Sequence, residues 1–146
     1  MKITLLVIGK TADARLVSLI EDYRQRLTHY VPFEFVVIPD VKNAKALTQD
    51  QLKTAEGEAI LRFVTPVLDV LLFDEHGREF RSIEFADFLQ KKMSSGKDLV
   101  LVIGGAYGFS EAVYARANGK ISLSQMTFPH QMIRIMAIEQ IYRAMT

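Results

Sequence analysis

The residue pattern best suited to chemistry in this sequence is a glycine-rich segment behind an apolar run. Leu99–Ile103 is a run of five apolar residues, typical of a strand buried on both faces. Gly104, Gly105 and Gly108 follow, and glycine lets the backbone turn sharply or approach a ligand closely. Ser110–Glu111 then suits the start of a helix. This order is typical of a small-molecule crevice at the carboxyl end of a sheet, and equally of a tight turn.

A second segment with binding potential is the short loop before the last predicted helix. Its small polar residues would place backbone amides and carbonyls around a purine, and Met126 and Phe128 would supply apolar walls. Pro129 suits the first turn of the following helix. The alternative is that Met126 and Phe128 are core residues and the loop is only a connection. The loop consists of Leu123, Ser124, Gln125, Met126, Thr127 and Phe128.

Strands and helices alternate along the whole chain. The pattern predicts one α/β domain, residues 1–146, built on a mostly parallel open sheet with helices on both faces. The loop 40–47 is polar and carries lysines, and Asp74–Gly77 resembles a turn. Predicted strands cover 2–9, 33–38, 67–73, 99–103 and 121–123, and predicted helices cover 13–28, 48–63, 82–93, 110–117 and the residues after 129.

The composition is that of an ordinary globular protein. The 146 residues are 49% apolar and 24% charged, with a net charge of +1 and no cysteine. Disulfides and thiolate metal sites are therefore excluded, which suits a cytoplasmic protein. The first apolar run is too short for a signal peptide, and no stretch has the length of a membrane span, so no membrane partner is expected. The near-neutral charge neither indicates nor excludes a nucleic-acid partner.

Several familiar chemistries lack their sequence patterns. The first strand ends in Gly9-Lys10-Thr11 rather than in the three-glycine fingerprint of dinucleotide binding, and it has no acidic residue for phosphotransfer. No phosphate-binding loop motif and no serine nucleophile elbow are present. His29, His76 and His130 do not have the spacing of metal ligands, so no metal site is expected.

Two motifs, in a fixed order along the chain, resemble those of a known family. The strand continues into Ile-Gly-Gly-x-x-Gly, and after a helix and a short strand comes Leu-Ser-x-Met-Thr-Phe-Pro-His-Gln. The last helix then contains Arg-x-x-x-x-Glu-Gln-x-Tyr-Arg-Ala, and the chain opens with Met-Lys-Ile-Thr-x-Leu-x-x-Gly-Lys. From Met1 to Thr146 the sequence resembles the RlmH family of large-subunit ribosomal RNA pseudouridine methyltransferases, which belongs to the SPOUT superfamily.

The resemblance implies a fold and a cofactor. Members of the family have an α/β sheet whose C-terminal part, here about residues 99–146, forms a trefoil knot, which ordinary connection rules would not predict. They bind S-adenosyl-L-methionine among three loops at the carboxyl ends of strands. Position 73 is commonly leucine in the family, and Phe73 should preserve an apolar wall. The implied cofactor-binding residues are Phe73, Gly104, Gly105, Leu123, Ser124, Gln125, Met126, Thr127 and Phe128.

The resemblance also implies an activity and partners. Members methylate N3 of a pseudouridine in 23S ribosomal RNA, the RNA of the large subunit, within assembled ribosomes, and they act as homodimers. An apolar surface on the last helix, wider than one face of a small sheet requires, agrees with a dimer. That surface comprises Met132, Ile135, Met136, Ile138, Ile141, Tyr142 and Met145. The alternative is a non-enzymatic nucleotide-binding or ribosome-assembly module, since fold does not fix function.

The acceptor side of the site is less defined. Family members carry a tail with Tyr and His beyond the position of Thr146, where this sequence stops inside a helical pattern. A role carried by that tail cannot be placed on residues 1–146, and no residue is assigned to remove the N3 proton. On that basis, donor binding is expected to be near normal and methyl transfer weak. The acceptor-side candidates are His130, Arg134, Tyr142 and Arg143, and ordinary ion pairs are the alternative role for the two arginines.

Overall fold

The computed structural model describes residues 1–146 and contains one five-stranded parallel sheet, in the order β2-β1-β4-β3-β5. The α/β class expected from the alternating pattern is confirmed. None of the helices combines the length and the apolar character needed to cross a membrane. The elements are β1 Ile3–Ile8, α1 Ala14–Leu27, β2 Phe33–Ile38, a 3-10 turn Ala44–Ala46, α2 Gln49–Phe63, β3 Asp69–Glu79, α3 Ser82–Ser94, β4 Leu99–Ile103, α4 Glu111–Arg116, β5 Gly119–Ser122 and α5 His130–Met145.

The sheet is covered on both faces, which explains why its central strands are continuously apolar. Successive side chains of a strand point to opposite faces. In β1, Leu5 and Val7 join the core beneath α1, α3 and α5, whereas Leu6 and Ile8 join the core beneath α2 and α4. All five residues of β4 are buried. Burial on both sides gives the sheet a rigid carboxyl edge on which loops can be positioned.

Two predicted helix starts are confirmed by their caps. Thr48 accepts a hydrogen bond from the Gln51 amide (3.1 Å) and its own amide donates to the Gln51 side chain (2.9 Å). Ser110 accepts from the amide of Val113 at 3.4 Å. The helix predicted over 82–93 is capped by the preceding residue, Arg81, whose amide donates to the Glu84 carboxylate (2.8 Å).

The turn predicted over Asp74–Gly77 is wrong. The strand β3 continues to Glu79, with an irregularity between Phe73 and Arg78, after which it pairs again with β5. Gly77 makes this possible because it lies directly against the backbone of β5. A Cβ built on Gly77 would lie 2.7 Å from the amide nitrogen of Ile121. The knot expected from the resemblance stays a prediction.

Candidate active site

A cavity of about 600 Å³ opens at the carboxyl ends of β4 and β5, beside residues 73–76 of β3. This is the edge of a parallel sheet where ligands commonly bind. The two segments singled out from the sequence meet there, although they are separate in the chain. The lining comprises Phe73, Asp74, Glu75, His76, Ile103, Gly104, Gly105, Ala106, Tyr107, Gly108, Phe109, Tyr114, Leu123, Ser124, Met126, Thr127, Phe128, Pro129, His130 and Ile133.

Gly104 and Gly105 of the glycine loop, residues 104–108, pack so tightly against their surroundings that side chains would not fit there. A Cβ on Gly104 would lie 3.0 Å from the ring of Phe109, and one on Gly105 would lie 2.5 Å from the carboxylate of Glu56. Gly108 has a φ of +84°, a conformation that favours glycine, and its amide donates to the Gly105 carbonyl at 3.2 Å. The glycines therefore allow close packing as well as the turn.

Glu56 supports the glycine loop from α2 and does not line the cavity. The side chain is 9% exposed and forms no hydrogen bond within the chain. Burial, and then the nearby Asp40 carboxylate, raise the pKa of Glu56 above its ordinary value. This contact has no signal in the sequence, because Glu56 is one acidic residue among several on a polar helix.

The C-terminal loop, residues 123–128, forms the facing part of the cavity. Ser124 accepts a hydrogen bond from the Met126 amide at 3.0 Å, which folds the loop back on itself. Met126 is 75% exposed and Phe128 is 38% exposed, so both present apolar surface beside the cavity. The backbone amides of Leu123, Gln125, Thr127 and Phe128 form no hydrogen bond within the chain. Together with Phe73 and the glycine loop, this segment forms what we term the loop wall.

The other side, termed the polar wall, consists of Asp74, His76, Tyr114 and His130. The Asp74 carboxylate accepts hydrogen bonds from the Tyr114 hydroxyl and from the His76 amide, the latter at 2.8 Å. Burial, followed by the hydrogen bond to Asp74, raises the pKa of Tyr114 to about 12, so the phenol keeps its proton at neutral pH. This wall presents groups that can exchange a proton or orient a polar ring.

Sequence reasoning missed Asp74, His76 and Tyr114 as parts of the site. The available signal for the first two was their place directly after Phe73, where the predicted strand 67–73 ends. The prediction of a turn over Asp74–Gly77 obscured this signal. Tyr114 had no signal, because it lies in α4 and reaches the site through a hydrogen bond to a residue 40 positions away.

The residues predicted to bind the cofactor lie together, with one exception. Phe73, at 8% exposure, lines the cavity beside both loops. Gln125 is absent from the lining, although its neighbours Ser124 and Met126 contribute to it.

Of the four acceptor-side candidates, only His130 lines the cavity. Arg134 is 1% exposed, and its guanidinium donates to the carbonyls of Gly9 (2.8 Å) and Ile8 (2.6 Å), which ties α5 to the end of β1. Tyr142 packs edge-on against the ring of Tyr23, 5.6 Å between centroids. Arg143 pairs with Glu139 on the same helix.

Comparisons with known proteins cover the whole chain. A family model described as "Predicted SPOUT methyltransferase" matches residues 1–146. The Ribosomal RNA large subunit methyltransferase H of Parabacteroides distasonis is 58% identical over 147 aligned residues, which cover 100% of this chain and 94% of that protein. Proteins of the same name from Bacteroides thetaiotaomicron and Flavobacterium psychrophilum are each 54% identical with the same coverage.

The parallel sheet, the cavity at its carboxyl edge and these matches define a methyltransferase. The chain belongs to the SPOUT methyltransferase family. The family predicted from the two motifs is thereby confirmed.

Proposed function

We propose that this chain transfers a methyl group from S-adenosyl-L-methionine to ribosomal RNA of the large subunit. The specific acceptor that we propose is N3 of a pseudouridine. The observation that carries the proposal is the meeting of the glycine loop and the C-terminal loop at one cavity. The relatives named ribosomal RNA large subunit methyltransferases support the substrate class, and they favour a location in the cytoplasm, with the ribosomes.

The loop wall fits the proposed donor. A volume of about 600 Å³ is within the range of small-molecule sites. Adenine needs flat apolar contacts and a few hydrogen-bonding groups at its edge, which Phe73, Met126 and the free amides of the C-terminal loop provide. When bound, S-adenosyl-L-methionine would supply an electrophilic methyl group.

The polar wall would hold the acceptor ring and remove its proton. The N3 proton of a pseudouridine must leave as the methyl group arrives, which requires a base or a water within hydrogen-bond reach. His130 is the acceptor-side candidate that faces the cavity, so we assign it the orientation of the ring and the transfer of that proton. Asp74, fixed by Tyr114 and by the His76 amide, would orient the other polar edge of the ring.

We further propose that the protein acts as a homodimer through the start of α5. Most of the apolar surface of this helix is covered within the chain, since Ile138 and Ile141 are fully buried. Met132 and Met136, one turn apart, remain 39% and 40% exposed next to the C-terminal loop. Light scattering should give twice the chain mass, and Met132→Glu with Met136→Glu should give a monomer.

The test of the activity is methyl transfer from labelled S-adenosyl-L-methionine to intact ribosomes that lack the modification. We expect label at a single pseudouridine of the large-subunit RNA. Donor binding without transfer to ribosomes or to free RNA would favour the alternative, a nucleotide-binding or ribosome-assembly module. Label on another base or on protein would refute the assigned acceptor.

A further inference from the structure

The loops that follow β1 and β2 carry three exposed lysines on the same edge of the sheet as the cavity. Lys10 follows the end of β1, and Lys42 and Lys45 lie in the segment after β2. None of the three forms an ion pair. Because all five strands are parallel, these loops and the glycine loop emerge at one edge. We term the three residues the lysine edge.

The lysines at the opposite edge of the sheet are arranged differently. Lys2 pairs with Glu34 at 3.4 Å, Lys91 with Asp87 at 3.0 Å and Lys92 with Asp69 at 3.0 Å. Only Lys97 there lacks a carboxylate partner. Lys120, in β5, also has no carboxylate partner and lies over the ring of Tyr114. Three of the five lysines without an ion pair therefore belong to the lysine edge, even though the net charge of the chain is only +1.

Two acidic groups lie near the lysine edge, and they offset only part of its charge. Asp13 forms its ion pair with Arg15 at 2.8 Å. Asp40 is exposed, lies against Gly9 and forms no ion pair, so it offsets one of the three lysine charges. The lysine edge thus keeps a net positive charge that is available to an anion in solution.

The β1 loop, which carries Lys10, is also fixed relative to the cavity. The side chain of Gln131 accepts a hydrogen bond from the Ala12 amide (2.9 Å) and donates to the Lys10 carbonyl (3.4 Å). Gln131 follows His130, which lines the cavity, so the β1 loop is attached to the polar wall. Neighbouring strands lie about 4.8 Å apart, which places the loops of β1 and β2 roughly 5 and 10 Å from the glycine loop across the sheet.

We infer that Lys10, Lys42 and Lys45 form a binding surface for the phosphate backbone of the substrate RNA, within a few nucleotides of the base held in the cavity. The inference rests on the proposed function and adds the route of the RNA across the protein. Flexible ammonium groups bind phosphates as point charges without reading sequence. The lysine edge therefore contributes affinity for the RNA, and the cavity selects and orients the base.

The test compares two triple variants with the same net charge. Lys10→Gln, Lys42→Gln and Lys45→Gln are combined in one protein, and Lys2→Gln, Lys91→Gln and Lys97→Gln are combined in the control. Ribosome binding is measured by filter retention between 50 and 200 mM salt, and methyl transfer and donor affinity are measured separately. Circular dichroism checks that both variants are folded.

We expect the lysine-edge variant to bind ribosomes about tenfold more weakly, with a salt dependence shallower by roughly 2 in log–log slope, since each single-strand phosphate contact contributes about 0.7. Its donor affinity and kcat should stay within about twofold of wild type, and the control should bind ribosomes like wild type. Equal losses in both variants, or no loss in either, would overturn the inference. If wild type binds through the lysine edge but transfers no methyl group, the proposed activity fails and the binding surface stands.

Discussion

The cavity is bounded on one side by backbone and apolar side chains and on the other by groups that carry protons. The loop wall is shaped by glycines packed against Phe109 and Glu56, together with amides that have no partner in the chain. The polar wall depends on side-chain hydrogen bonds to Asp74 and on the position of His130. We expect changes in the loop wall to alter donor affinity and changes in the polar wall to alter the rate of methyl transfer.

The largest effect on stability is expected at Gly77, because its strand, β3, carries residues of both walls. Gly77→Ala places a Cβ 2.7 Å from the backbone of β5, so β3 and β5 must separate. The free energy of unfolding should fall by about 3 kcal/mol, the upper range for overpacking, measured by urea denaturation. Gly96→Ala is the control, because a Cβ at this position would meet no other atom. Only its left-handed φ of +79° disfavours alanine there, so the expected loss in the free energy of unfolding is about 1 kcal/mol. Equal costs would show that the β3–β5 contact is not constrained.

His130→Ala tests the polar wall. We expect kcat for ribosome methylation to fall about a hundredfold, the lower range for the loss of an acid–base group. The Kd for S-adenosyl-L-methionine, measured by calorimetry, should change less than about twofold, because the loop wall is intact. His29→Ala is the matched control, since His29 does not line the cavity. A parallel loss of donor affinity in His130→Ala would contradict the division between the walls.

Gly104→Val tests the loop wall. The new side chain meets the Phe109 ring, at 3.0 to 3.3 Å for its Cβ alone, and must push that ring toward the cavity. The Kd for the donor should rise at least about tenfold while the protein stays folded. Adding Phe109→Leu should restore part of the affinity because it makes space. Unchanged affinity in Gly104→Val would exclude the glycine loop from the donor site.

The smallest effect concerns the support beneath the glycine loop. The folded chain raises the pKa of Glu56 above its ordinary 4.5, so the folded state holds this proton more tightly than the unfolded state. The associated stability is complete below pH 4.5 and is lost as the pH rises through the raised pKa. Glu56→Gln cannot ionise and should be more stable than wild type at pH 7 but not at pH 4, measured by urea denaturation. The same difference at both pH values would contradict this.

The loop wall was largely predictable from the sequence, because it depends on local features. Gly104 and Gly105 directly follow a buried strand, and the small residues of the C-terminal loop precede Pro129. The alternation of strands and helices likewise predicted the parallel sheet.

The polar wall was not predictable in the same way. The continuation of β3 depends on Gly77 meeting a strand more than 40 residues later in the chain, and Tyr114 reaches Asp74 over a similar separation. Arg134 looked like a surface or acceptor-side residue on an amphipathic helix, but it bonds to carbonyls at the end of β1. Contacts of this kind follow from the packed sheet and have no local sequence pattern.

The most direct test of the central claim is calorimetric titration of the protein with S-adenosyl-L-methionine and with its demethylated product, alongside FMN and NADH. If the loop wall binds a methyl donor, both adenosyl compounds should bind once per chain with a Kd roughly in the micromolar range, and FMN and NADH should not bind. Absence of binding by both adenosyl compounds, or equal binding of FMN or NADH, would contradict the account.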